Sequence, residues 1–357
     1  MSMESLPPIQ TGPSAWYGPD MAHRQDLWLI ELSNPQIEEL LIAAEPIADS
    51  DFNIGWLTQS EFALPSLGPQ LAELRKELIT DRGFAVLRGL PVNDFSERLA
   101  ATIFFGLGTH LGLARSQNAD GHVLGHVCNL GASSADPSVR IYQTRERQTF
   151  HTDSCDVVGL LCLQPARKGG RSLLVSANTI FNEMRTRRPD LLKILMQPIA
   201  TDRRGEVPLG MLPYLLIPVF NWHEKQITPF YQRQYIESAQ RFEDAPRLTP
   251  DHIEALDLLD QLANDPELHL SMMLEAGDMQ FVYNHAMLHD RTDFEDWLDV
   301  DRRRHLLRLW LSVPGDRRLP EVFATRFGSV EVGNRGGIVV PGTKFCVPLR
   351  SELTLRN

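Results

Sequence analysis

The first stretch of this sequence able to do chemistry is His151-Thr152-Asp153. Side chains two apart on a strand end share a face, so an imidazole and a carboxylate can reach one metal ion. Alone the signal is weak, because a chain with 11 histidines yields roughly one such tripeptide by chance. His252-Ile253-Glu254 has the same ligand types but falls in a segment of helical spacing, where residues i and i+2 diverge around the axis, so it reads as structural. Context separates the two: Phe150 precedes His151, a long apolar β run follows, and another histidine arrives after a long gap, just beyond a strand. His285 and His289 in NHAMLHDRTDF compete for that third place, and His289 is favoured. Two histidines and a carboxylate leave three positions open, which suits Fe(II) taking a bidentate cosubstrate together with dioxygen. Zinc with a hydrolytic water can use the same residues.

Further along, DRRRHLLRLWL places Arg302, Arg304, Arg308 and Trp310 on one strand face and Arg303, Leu307, Leu309 and Leu311 on the other. An inward arginine is often one half of a structural ion pair. Asp156 and Asp290 are the internal carboxylates that could pair with Arg308. Two arginines on one face, close after a candidate metal ligand, favour bidentate binding of carboxylates instead.

These residues need elements to position them. Leu71, Leu74 and Leu78 give residues 67–80 helical spacing, GFAVLRGL at 83–90 reads as a strand stopped by Pro91, and Asp94 or Ser96 opens a helix to about Leu111. VVGLLCLQPA at 157–166, RSLLVSA at 171–177, MQFVYN at 279–284 and HLLRLWLSV at 305–313 read as strands. Between them, residues 189–266 combine an acidic amphipathic helix over 251–263, striped by Ile253, Leu256, Leu259 and Leu262, with proline-rich irregular stretches. Early and late strands separated by such an insertion predict a mainly β fold with helical cover, a double-stranded β-helix or jelly-roll core, rather than βαβ units. Residues 1–20 are expected as a flexible arm, 21–357 as one domain, and 189–266 as an insertion or lid over the barrel. Tyr214, Phe220, Trp222 and Tyr235 are its candidates for an apolar pocket wall.

With 43% hydrophobic and 23% charged residues, the 357-residue chain can bury a large core. A net charge of -11 disfavours nucleic acid as a partner. The first residues lack a signal-peptide pattern and no apolar run is long enough to span a membrane, so a cytoplasmic setting is expected. Cys128, Cys155, Cys162 and Cys346 include no C-x-x-C pair and read as buried thiols. A homo-oligomer is compatible with all of this.

FHTD at 150–153, GGRS at 169–172, LHDRTDF at 288–294 and RRHLLRLWL at 303–311, in this order, resemble the taurine dioxygenase and clavaminate synthase-like (TauD/TfdA) family of Fe(II)- and 2-oxoglutarate-dependent oxygenases. The resemblance implies His151, Asp153 and His289 as iron ligands, and Arg304 as the partner of the oxoglutarate C5 carboxylate. It implies Ser172 in a hydroxyl position that often holds threonine, and Arg308 as an arginine that reaches the substrate's anionic group in some members. Many relatives carry glycine after the distal histidine and arginine four residues before it, where this chain has Asp290 and His285. The implied cofactors are Fe(II), 2-oxoglutarate and O2, with succinate and CO2 as co-products. The implied substrate is a small anionic or zwitterionic molecule, amino-acid-like and of the kind met in secondary metabolism, oxidised at a C–H bond by hydroxylation, desaturation or cyclisation. A metal-binding jelly-roll hydrolase and a non-catalytic, metal-stabilised binding protein are the alternatives; neither gives Arg304 and Ser172 a task.

Overall fold

A strand that is apolar almost throughout is stable only where both sheet faces are covered. In the computed structural model, which describes residues 6–131 and 141–349, the two most apolar strands, Val157–Gln164 and His305–Ser312, accordingly pair antiparallel inside a seven-stranded sheet. Its order is Leu29–Glu31, Phe84–Arg88, Met279–Tyr283, Val157–Gln164 and His305–Ser312, with Leu124–Cys128 and Leu113–Ala114 both on the last strand. A second sheet runs His269–Met272, Ser172–Ser176, Met287–Arg291 and Gln148–His151. Between them the two sheets enclose the cavity described below.

The helices form where the spacing predicts, over Leu67–Thr80 and Glu97–Leu111, and Ser96 caps the second by accepting the Leu99 N–H. Both pack on the large sheet, where Phe104 meets Phe281 at 6.3 Å. A Cβ at Gly108 would come within 2.7 Å of Leu309, so glycine permits the close approach of helix and sheet. Helix Asn34–Ala48 was not anticipated; Ser33 and Gln36 form its capping box.

Several expectations need correction. The described part of the N-terminal arm is tied down: Arg185 Nε donates to Pro7 O, Gln10 exchanges hydrogen bonds with Asn182, and the buried Trp16 indole donates to Arg82 O. The stretch at 189–266 is less irregular than its prolines imply, for it holds the hairpins Ile199–Asp202 with Tyr214–Ile217 and Phe220–His223 with Gln226–Pro229. These pairs survive because proline sits at a strand end, where no ladder N–H is needed. In helix Pro250–Ala263 the buried stripe is Ala255, Leu256, Leu259, Leu262 and Ala263, whereas Ile253 is exposed. Arg302 lies in a 3-10 turn before the strand, its guanidinium over the Trp297 ring, and so shares no strand face with Arg304. Of the four cysteines only Cys155 and Cys162 are buried. Among the described residues no helix is long and apolar enough to cross a membrane.

Candidate active site

Antiparallel register brings the two favoured histidines together. His151 ends strand Gln148–His151 directly opposite His289 on Met287–Arg291, and their ring centroids lie 4.1 Å apart. Asp153 follows in a loop held at both ends of the residue, since its N–H donates to Asn284 Oδ1 at 2.9 Å and its Oδ2 accepts from Trp310 Nε1 at 2.9 Å. Asp153 Oδ1 is 3.8 Å from His151 Nε2, Oδ2 is 3.6 Å from His289 Nε2, and one donor atom of each residue lies within 4.8 Å of the others.

The donor chemistry fits a divalent metal. The Thr149 carbonyl, 2.8 Å from His151 Nδ1, can only accept, so that nitrogen carries the proton and Nε2 is left with a lone pair, which here accepts from Gln148 Nε2 at 2.9 Å. Burial, reinforced by His289, pushes the His151 pKa down to about 3, so the imidazole is neutral at physiological pH. Burial alone would raise Asp153, but the hydrogen bond from His289 and the charge of Arg308 win and hold its carboxyl well below the usual range. His285, the rejected candidate, is fully buried elsewhere: its Nε2 bonds Asp156 at 2.8 Å, in a network that Arg335 and Asp316 complete. His252 caps its own helix through Thr249.

Behind the triad a cavity reaches between the sheets, with Val158, Leu160, Leu274 and Leu306 as apolar walls. Arg304 lies at its far end, 5% exposed, with Nη1 buried and unpartnered and burial pushing its pKa down to about 10. Gly170, at φ +69, makes room for it, because a Cβ there would sit 3.0 Å from Arg304 Nε. Ser172 is also present, its hydroxyl donating to Gln280 Oε1 at 2.9 Å. The sequence reading missed Arg291, whose guanidinium is held by the carbonyls of Thr144 and Glu146. Burial, then repulsion from Arg304, pushes Arg291 down to about 9. Strand alternation could have revealed it, since His289 and Arg291 share a face. Two buried guanidiniums without a carboxylate partner among the described residues make this cavity a receptor for an anion.

A second cavity opens on the other side of the triad and shares Gln148, His151, Asp153 and Arg308 with the first. Arg308 pairs with neither Asp156 nor Asp290: its Nε donates to Gln117 Oε1 at 2.7 Å and its guanidinium lies over Tyr142 and Trp310. Asp156 is taken up by His285, Ser312, Val313 and Arg335, and Asp290 by Arg147. Residues 189–266 contribute Leu215, Phe230, Tyr231 and Tyr235 to the wall. Of the four aromatics expected there only Tyr235 takes part; Phe220 packs on Phe181, Tyr214 on Phe242, and Trp222 is partly exposed on its hairpin.

This fold, with a neutral-histidine and carboxylate centre between an anion-receiving cavity and an open one, defines the class: a non-haem, 2-oxoglutarate-dependent iron oxygenase. The family model described as "Taurine catabolism dioxygenase TauD, TfdA family" matches residues 45–310, and the chain belongs to that family. It is 31% identical over 329 residues to FR-33289 synthase of Streptomyces rubellomurinus (strain ATCC 31215), covering 90% of this chain and 96% of that protein. It is 30% identical over 310 residues to the taurine hydroxylase-like protein SAT17 of Stachybotrys chartarum (strain CBS 109288 / IBT 7711), covering 83% and 77%. Among solved structures, asparagine oxygenase in complex with Fe(II), 2S,3S-3-hydroxyasparagine and succinate superposes with a TM-score of 0.63 at 18% identity, over 80% of this chain and 93% of that one. The protein is thus an enzyme that uses Fe(II), 2-oxoglutarate and O2.

Proposed function

We propose that His151, Asp153 and His289 hold the iron, that Arg304 anchors the oxoglutarate C5 carboxylate, and that Arg308 receives an anionic group of a small amino-acid-like substrate. The observation carrying this reading is that two cavities meet at the triad, each lined by a buried guanidinium, Arg304 or Arg308, that forms no direct ion pair with a described carboxylate. Bound iron supplies the redox chemistry that couples oxoglutarate decarboxylation to oxidation of a C–H bond. The chain's residues do the rest. Arg304 and Ser172 fix one end of the cosubstrate, and the apolar walls keep water from its middle. Trp310 and Asn284 hold Asp153, so the carboxylate is fixed in the orientation in which it would hold the iron. Arg308, rigid between Gln117 and Tyr142, sets how deep the substrate enters and which carbon faces the centre.

In this reading the two sheets are the halves of a double-stranded β-helix, residues 21–357 form one domain, and 189–266 is its lid. The buried thiols of Cys155 and Cys162 support a reducing, cytoplasmic setting. The test is substrate-triggered oxoglutarate decarboxylation with matched acids and amides, in wild type and Arg308→Gln. Wild type should prefer the acid and Arg308→Gln should lose that preference; equal use of acid and amide by wild type contradicts the anchor.

A further inference from the structure

A second group of metal-ligating side chains converges far along the large sheet, where helix Glu97–Leu111 begins over strands Leu124–Cys128 and His305–Ser312. Pairing of Leu307 with His126 and of His305 with Cys128 makes His126 and His305 diagonal neighbours. Both rings are buried and stacked, with centroids 5.0 Å apart and planes 23° apart. Glu97 Oε1 approaches His126 Nδ1 to 3.9 Å, and one donor atom from each of the three residues lies within 4.8 Å of the others.

We propose that Glu97, His126 and His305 form a second divalent-cation site, of zinc type, clamping the first turn of the helix to two strands of the large sheet. The tautomer of His126 supports it. Its Nε2 lies 2.7 Å from the Pro348 carbonyl, which can only accept, so Nε2 carries the proton and Nδ1 presents a lone pair to the shared point. A ligand histidine is ordinarily oriented by just such a carbonyl behind it. His305 Nε2 is 2.7 Å from that lone pair, a hydrogen-bonded, cation-free arrangement. Zinc–nitrogen bonds of about 2.0–2.1 Å need the two nitrogens only roughly half an ångström further apart, within reach of a small ring rotation. Two imidazoles and a carboxylate favour zinc or cobalt over magnesium or calcium, which prefer oxygen alone. Arg304 immediately precedes His305, so the clamp would also steady the strand end that bears the cosubstrate arginine.

The test uses the full chain carrying His151→Ala and Asp153→Ala, which removes two donors of the first centre. After equilibration with Zn2+ and desalting, one zinc per chain is expected, with a rise in Tm on zinc addition. Cobalt in its place should give the visible d–d absorption of a low-coordinate nitrogen and oxygen site. Adding His126→Ala should abolish all three signals, and Glu97→Gln, at a partly exposed position that leaves the histidine pair intact, should weaken zinc binding by at least about tenfold. A zinc-free parent, or zinc affinity unchanged by Glu97→Gln, would show that the two histidines are only a hydrogen-bonded pair.

Discussion

Arg304 and Arg291 share a cavity in which backbone carbonyls and apolar side chains are their main company, and burial lowers the pKa of both. Such an arrangement is costly until an anion arrives, so truncating Arg304 should cost much of the cosubstrate binding, about 2–5 kcal/mol. Arg304→Ala is therefore expected to raise the apparent oxoglutarate constant at least thirtyfold, read from decarboxylation rates against oxoglutarate concentration, while Ser172→Ala does less. His151 gives a second prediction. Its folded pKa, about 3, lies below the ordinary 6.5, so within this window the unfolded chain binds a proton that the folded chain refuses. Its contribution to stability is full above about pH 6.5 and falls as pH drops toward 3. Urea unfolding of metal-free protein at several pH values should show this slope, and His151→Gln should flatten it. The triad was legible because metal ligands come from few residue types and strand alternation fixes their faces. Gln117, partner of Arg308 across 191 residues, was not, because no local pattern marks a contact so distant in sequence.

Among the elements, the apolar strands and the helices at 67–80 and 97–111 followed from periodicity alone, because burial on one or two faces dictates their composition. The hairpins at 199–217 and 220–229 escaped because prolines masked short strands, and the N-terminal arm escaped because its anchors are single polar contacts to a distant helix. The turn before strand Ser172–Ser176 offers a test at this scale. Gly169 and Gly170 both have positive φ, at +75 and +69, and a Cβ on Gly170 would press on Arg304 Nε. Gly170→Ala should cost about 1–2 kcal/mol of stability from backbone strain and also weaken oxoglutarate binding. Thermal unfolding and oxoglutarate titration measure the two effects separately; a normal oxoglutarate constant would mean that Arg304 is not seated by this turn.

For the whole molecule, a chain of net charge -11 keeps Arg291, Arg304 and Arg308 buried around one centre, so the cavities there attract anions although the surface repels them. Residues 189–266 pack Leu192, Leu256 and Leu259 against helix Ala177–Arg187, yet lend Tyr231 and Tyr235 to the outer cavity. Ligands that bind only the folded state should stabilise it, by about 3–4 kcal/mol at a hundred to a thousand times their dissociation constant. Chelation of the iron should accordingly lower Tm by several degrees and remove the stabilisation by oxoglutarate. The most direct test is calorimetric titration of 2-oxoglutarate into Fe(II)-loaded protein without oxygen. Binding should be tight in wild type, should persist in folded His285→Ala, should be lost in His289→Ala and should weaken at least about thirtyfold in Arg304→Ala. Wild-type binding in His289→Ala together with loss in His285→Ala would contradict the assignment of the centre.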